Sequence, residues 1–197
     1  GYMSRYSFED ALRDKTILPL HFEPRLLDIH IDRDKVDEEF AAIANTLDED
    51  AKITLSNKAA KMLEFLKSPE RIEIVCKDIA QHYQEKVEPQ GFKAMIVTPD
   101  REACHLYKQE LGKYFPDSAS AVVISTSGKG EDELKRLYNL SKDEQEKLIE
   151  KFNKPDSELK FLIVTAKLLT GFDAPILQTM YLDKSLQEHT LLQALCR

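Results

Sequence analysis

Apolar positions change their spacing along this chain, and the changes mark out its elements. Over residues 1–32 no period is sustained. Ser7 to Lys15 predicts a short helix, and Ile17 to Phe22 and Leu26 to Ile31 predict two short extended segments. Pro19 and Pro24 confine those segments to edges or irregular structure, because proline offers no amide hydrogen to a sheet. Over residues 33–91 the apolar residues recur every three or four positions, the spacing of helices with one buried face. Val36, Phe40, Ile43, Ala44 and Leu47 form a first stripe. Ala59, Met62, Leu63 and Leu66 form a second behind a Ser56 cap, and Ile72, Val75, Cys76, Ile79, Tyr83 and Val87 form a third. Ser68-Pro69 opens this third helix with a cap residue and a proline at the first helical position, and Pro89 and Gly91 close it.

From Ala94 onward, short apolar runs alternate with helical stripes. Ala94 to Val97, Ala121 to Ser125, Phe161 to Thr165 and Gln178 to Leu182 predict strands. Between them lie a helix after Thr98-Pro99-Asp100, with Ala103, Leu106, Tyr107, Leu111 and Tyr114 inward, and a short helix with Leu134, Leu137 and Tyr138. A further helix begins at the capping box Ser141 to Glu144 and packs Leu148, Ile149 and Phe152. A last helix starts near Thr190. Strands apolar on both faces, separated by helices, predict an α/β fold with a parallel sheet flanked by helices. A mostly helical connector precedes it. The expected divisions are 1–32, a connector; 33–91, a helical segment; and 92–197, the α/β domain.

Composition narrows the function classes. Of 197 residues, 42% are hydrophobic and 32% charged, which suits a soluble globular chain. No apolar run reaches membrane-spanning length, and a cytoplasmic location is expected. The three cysteines, Cys76, Cys104 and Cys196, are widely spaced and the five histidines scattered, so neither a disulfide framework nor a metal site is expected. Net charge is −7. Residues 1–91 carry 13 Lys+Arg against 19 Asp+Glu, and the rest of the chain is nearly balanced, so a broadly basic nucleic-acid surface is excluded. Any DNA contact must be local.

The chemistry concentrates in the stretch FLIVTAKLLTGFDAP, residues 161–175. In open α/β sheets ligands sit beyond the carboxyl ends of the strands. Thr165, Gly171 and Asp173 fall there: a hydroxyl, a glycine that lets backbone approach closely, and a carboxylate, which suit phosphate and ribose. Plainer roles stand beside these, since Thr165 serves equally as a turn cap and Asp173 as a turn former. Gly128-Lys129-Gly130 is no P-loop, because glycine occupies position 130 where Ser or Thr is required. The loop Ser125 to Gly130 reads best as a flexible surface loop, with phosphate contact by its hydroxyls and lysine the secondary reading.

The segments VTAKLLTGFDAPILQTMYLDK and HTLLQALCR resemble motifs V and VI of the R (motor and nuclease) subunit of type I restriction enzymes. AMIVTPDREACHLYKQEL resembles the strand and helix of motif IV, AVVIST the strand after it, and YSFEDALRD and LPLHFEPRLLDIHID the connector that follows the first motor domain. The resemblance covers nearly the whole chain. It implies a RecA-like fold, the second of two such domains that clamp ATP and Mg2+ between them and step along double-stranded DNA, with the ATP and metal held mainly by the first motor domain. It further implies that Thr165, Ser125 and Thr126 contact DNA phosphates, that Gly171 and Asp173 lie at the nucleotide, and that Gln193 and Arg197 face its γ-phosphate as catalytic groups. The partners it implies are the first motor domain of the same subunit and the methyltransferase and specificity subunits. Cys196 stands where motif VI usually has glycine and Ser185 where proline is usual, and the last arginine of that motif is expected beyond residue 197. The piece alone is expected to hydrolyse no ATP and cut no DNA. Two other readings are a motor domain from another superfamily-two helicase, for repair or RNA work, and a non-enzymatic α/β interaction domain.

Overall fold

The computed structural model describes residues 10, 13–14, 21–25, 63–125, 132–168, 172 and 174–184. The chain divides into two compact units, Gly1–Leu26 with Leu186–Arg197, and Leu27–Ser185. In the first, the Asp14 amide donates to the Asp10 carbonyl at 2.9 Å and Arg13 pairs with Asp10 at 2.7 Å, one turn of helix with its own ion pair.

In the second unit, helix α1 (Pro69–His82) precedes strand β1 (Lys93–Val97) and helix α2 (Arg101–Leu111). Strand β2 (Ser120–Val123), helices α3 (Asp132–Tyr138) and α4 (Lys142–Asn153), and strands β3 (Phe161–Val164) and β4 (Leu177–Leu182) follow. The sheet runs β2-β3-β1-β4 with every pairing parallel. All residues of β1 and β3 are buried, as strands covered on both faces must be. This is the expected parallel sheet flanked by helices.

The stripe from Ile72 to Val87 is buried at every position, and it shares one core with Ala94, Ile96, Phe161 and Ile163 of the sheet. So the helix numbered before the first strand packs directly on that strand's sheet. Past His82 it widens into a π turn (Tyr83–Val87), which keeps both Tyr83 and Val87 inward. A 3-10 turn (Glu88–Gln90) and Gly91, left-handed at φ +78°, then end it. Tyr83 fills the centre of the core. Its ring lies 4.4 Å from Phe161 and 5.9 Å from Phe115, and its hydroxyl, which would otherwise be orphaned, donates to the Phe92 carbonyl at 3.1 Å.

The capping box at Ser141 is complete: its hydroxyl accepts from the Glu144 amide, and the Glu144 carboxylate accepts from the Ser141 amide. At the other end of α4, the buried amine of Lys93 donates to the carbonyls of Phe152 and Lys154 at 2.8 and 2.7 Å. Burial lowers its pKa, while these acceptors satisfy helix-end carbonyls that have no intrahelical partner. The short helix expected around Leu134, Leu137 and Tyr138 is α3, on which Leu137 is exposed. Tyr138 is the residue of α3 that reaches α2, through a 2.7 Å contact between its hydroxyl and His105 Nδ1, and Leu137 is rotated about 100° away from it.

Candidate functional site at the carboxyl edge of the sheet

Strand register sets up the site. Val123, Val164, Val97 and Leu182 are aligned across the four strands. The next residue of each strand continues the row: Ile124, Thr165, Thr98 and Asp183. The ladder itself extends into it, since the Thr98 amide donates to the Val164 carbonyl and the Asp183 amide to the Val97 carbonyl, both at 2.9 Å. The expected DNA-contacting residues Thr165 and Ser125 therefore lie at one edge, Thr165 within this row and Ser125 one residue beyond it. Thr165 is half-buried and Ser125 exposed.

Thr98 is fully buried and turned inward. Its hydroxyl donates to the Asp100 carbonyl at 2.9 Å and lies 3.0 Å from Cys104 Sγ. Burial pushes the Cys104 thiol up to about 12, so it stays protonated beside the hydroxyl. Asp100 caps α2 by accepting from the Ala103 amide at 2.8 Å.

The turn after Thr165 is unusual. Leu168 adopts φ +69°, the left-handed region that a leucine enters at a cost of roughly 1–2 kcal/mol. Past it, Phe172, the residue between Gly171 and Asp173, is buried against the Phe152 ring with centroids 6.2 Å apart. The Leu177 amide then closes a turn onto the Ala174 carbonyl at 2.9 Å, leading into β4. Thr126, Gly171, Asp173, Gln193 and Arg197 lie outside the described residues.

The carboxylates at this edge have cationic partners. Arg71 on α1 grips Asp183 through both terminal nitrogens, and Tyr107 on α2 donates to the same carboxylate at 2.6 Å. Arg71 also donates to the Leu66 carbonyl at 3.1 Å. The bidentate bond raises the Arg71 pKa, outweighing the opposing effect of burial. Four residues earlier, Lys67 pairs with Glu102 at 2.5 Å and Asp100 at 3.2 Å, and those bonds raise its pKa. Arg71 balances Asp183, whereas the single charge of Lys67 faces two carboxylates, and half-buried Thr165, Lys167 and Lys184 add a hydroxyl and two amines to the described part of this edge. Among the described residues no cluster of His, Cys, Asp or Glu could hold a metal ion, and no helix is long and apolar enough to cross a membrane.

Asp183 and Arg71 are absent from the site expected from sequence. An acidic residue directly after an apolar run was the available signal, but its partner lies 112 positions earlier.

The parallel sheet and its flanking helices define a RecA-like α/β domain. A solved SWI2/SNF2 ATPase C-terminal domain from Sulfolobus solfataricus shares this fold, with a TM-score of 0.50 at 15% identity over 76% of this chain and 70% of that one. The chain belongs to the family of type I restriction enzyme subunit R domain 3, whose model matches residues 34–197, and a SWI2/SNF2 ATPase model matches residues 1–53. Similar relatives include a putative type I restriction enzyme MjaIXP endonuclease subunit from Methanocaldococcus jannaschii, 32% identical over 200 residues. The type I restriction enzyme HindI endonuclease subunit from Haemophilus influenzae is also 32% identical, over 205 residues. Each alignment covers 100% of this chain and 19% of the relative, so the chain spans about a fifth of their length.

Proposed function

We propose that this domain is one wall of an ATP cleft in a type I restriction subunit that moves along double-stranded DNA and cleaves it. The family match and the parallel sheet support the reading. The observation that carries it is the row at one sheet edge that holds half-buried Thr165 beside the exits of β1 and β4, where Asp183, Asp100 and Glu102 have cationic partners.

Thr165, Ser125 and Thr126 contact DNA phosphates, while Gly171 and Asp173 border the nucleotide. Gln193 and Arg197 face the γ-phosphate and stabilise its developing charge. Phosphoryl transfer needs mainly positioning and charge stabilisation, so a domain without a P-loop still contributes to it. ATP and Mg2+ are held mainly by the first motor domain, and bound ATP supplies the γ-phosphoryl group whose hydrolysis drives the cycle. Two domains bridged by a ligand close together, and they separate when it is spent. The subunit works with methyltransferase and specificity partners.

The test is DNA-stimulated ATP hydrolysis by the intact subunit. Asp173→Ala and Arg197→Ala are each expected to reduce the rate by roughly 100-fold or more, as loss of a transition-state charge contact does. Wild-type rates in both would instead mark the domain as a non-enzymatic interaction module.

A further inference from the structure

The chain enters α1 across a broken helix. Residues 63–66 are helical, and the Lys67 amide bonds back to the Leu63 and Glu64 carbonyls, both at 3.1 Å. At Ser68 the backbone leaves the helix, with φ −60° and ψ 135°. The sequence dictates this break, because the ring of Pro69 pushes the residue before it out of helical backbone. Helix α1 then starts at Pro69 with no side-chain cap from Ser68. Proline brings no amide hydrogen to bridge the gap, so the backbone alone would leave a natural place for the chain to bend.

Side chains cross the gap instead. Arg71, in the first turn of α1, reaches back and donates to the Leu66 carbonyl at 3.1 Å, one of the carbonyls a helix end leaves without a partner. The same guanidinium forks onto Asp183 at the exit of β4, and that carboxylate also accepts from Tyr107 on α2. On the near side of the break, Lys67 reaches Asp100 at 3.2 Å and Glu102 at 2.5 Å, at the exit of β1 and the start of α2. Both sides of the break are thus fastened to one edge of the sheet. The Arg71 and Asp183 side chains are only 12% and 13% exposed. Taking such a pair out of water costs about as much as its attraction returns, so stability alone is a weak reason for it. A planar guanidinium forked onto a carboxylate does fix direction, because only one relative orientation satisfies both bonds.

We infer that Ser68-Pro69 is a locked joint: Lys67 and Arg71 make residues 63–68 one rigid body with the sheet, and movement of those residues is delivered to the exits of β1 and β4 without bending at the break. The division expected after residue 91 then cuts through this body, in keeping with the single compact unit Leu27–Ser185. The lock itself stands on the contacts above. Its use, to pass on the closing of two domains about ATP, rests on the cleft reading.

Hydrogen exchange in the intact subunit, read by mass spectrometry on short overlapping peptides, tests both. In the double variant Arg71→Met/Asp183→Leu, apolar side chains of similar bulk replace the buried pair, a change that is often neutral or stabilising. The amides of Lys67 and Ser68 are expected to exchange about 10-fold faster or more, while those of β1 and β3 keep wild-type rates. Wild-type exchange at Lys67 and Ser68 in the folded variant overturns the inference. Should that variant fail to fold, Lys67→Met decides: exchange about 3-fold faster or more at Ser68 supports the lock, and a wild-type rate overturns it. The wild type is then measured with a non-hydrolysable ATP analogue and duplex DNA. Exchange across residues 63–72 is expected to rise by no more than about 2-fold, while amides elsewhere in the subunit slow. A larger rise shows the joint bending and overturns the inference. If the analogue and DNA alter no amide of the subunit while the variants behave as expected, the lock stands and the cleft reading fails.

Discussion

Cys104 shows how one buried side chain reports on the edge. Its thiol is fully buried, beside the Thr98 hydroxyl, and burial raises its pKa from 9.0 to about 12. An unfolded chain sheds that proton near 9, whereas the folded chain keeps it until about 12. The stability it confers is therefore complete below pH 9 and is lost progressively as pH rises through 12. Denaturant midpoints should fall between about pH 8 and about pH 10.5, with a shallower fall in Cys104→Ala. Equal slopes would contradict the assignment. Cys76, whose pKa burial also raises, is fully buried too, so native alkylation should spare both thiols and unfolding should release them. Rapid labelling of either in the native state, read by mass spectrometry, would disprove that burial. None of this was legible in the sequence, where Cys104 is one residue of a helical stretch and Thr98 one residue of a turn.

Among the elements, legibility followed the regularity of the pattern. The capping box was readable because both its partners lie within four residues, and so was the stripe from Ile72 to Val87. The π turn was not, because a widened turn moves side chains without altering which residues are apolar. The short helix α3 was readable but its inward face was not, because two helical turns offer too few positions to fix it, and Leu137 is exposed. Two substitutions test the elements. Gly91→Ala meets open space but keeps the left-handed backbone, so it should destabilise the chain by about 1 kcal/mol, with Gly91→Asn less costly. Ile163→Ala, at the fully buried middle of β3, should cost about 2–5 kcal/mol. Denaturant unfolding measures both, and a neutral Ile163→Ala would refute the sheet order that places β3 between β1 and β2.

At the level of the molecule, the parallel sheet came from alternation of apolar runs and helices, and the family from motif order. The clamp on Asp183 stayed hidden because a contact across 112 positions leaves no periodic trace. The same long reach gives it weight, since it ties helices α1 and α2 to the sheet edge on which the proposed cleft depends. If the domain is one wall of that cleft, it binds too little of the nucleotide to work without the other. The most direct measurement is ATP hydrolysis by this chain alone and by the same chain with a P-loop motor domain of a type I restriction subunit joined before it, each with and without duplex DNA. The account predicts no turnover by the chain alone and DNA-stimulated turnover by the joined protein. Substantial hydrolysis by the isolated chain, or a joined protein indifferent to DNA, would contradict it.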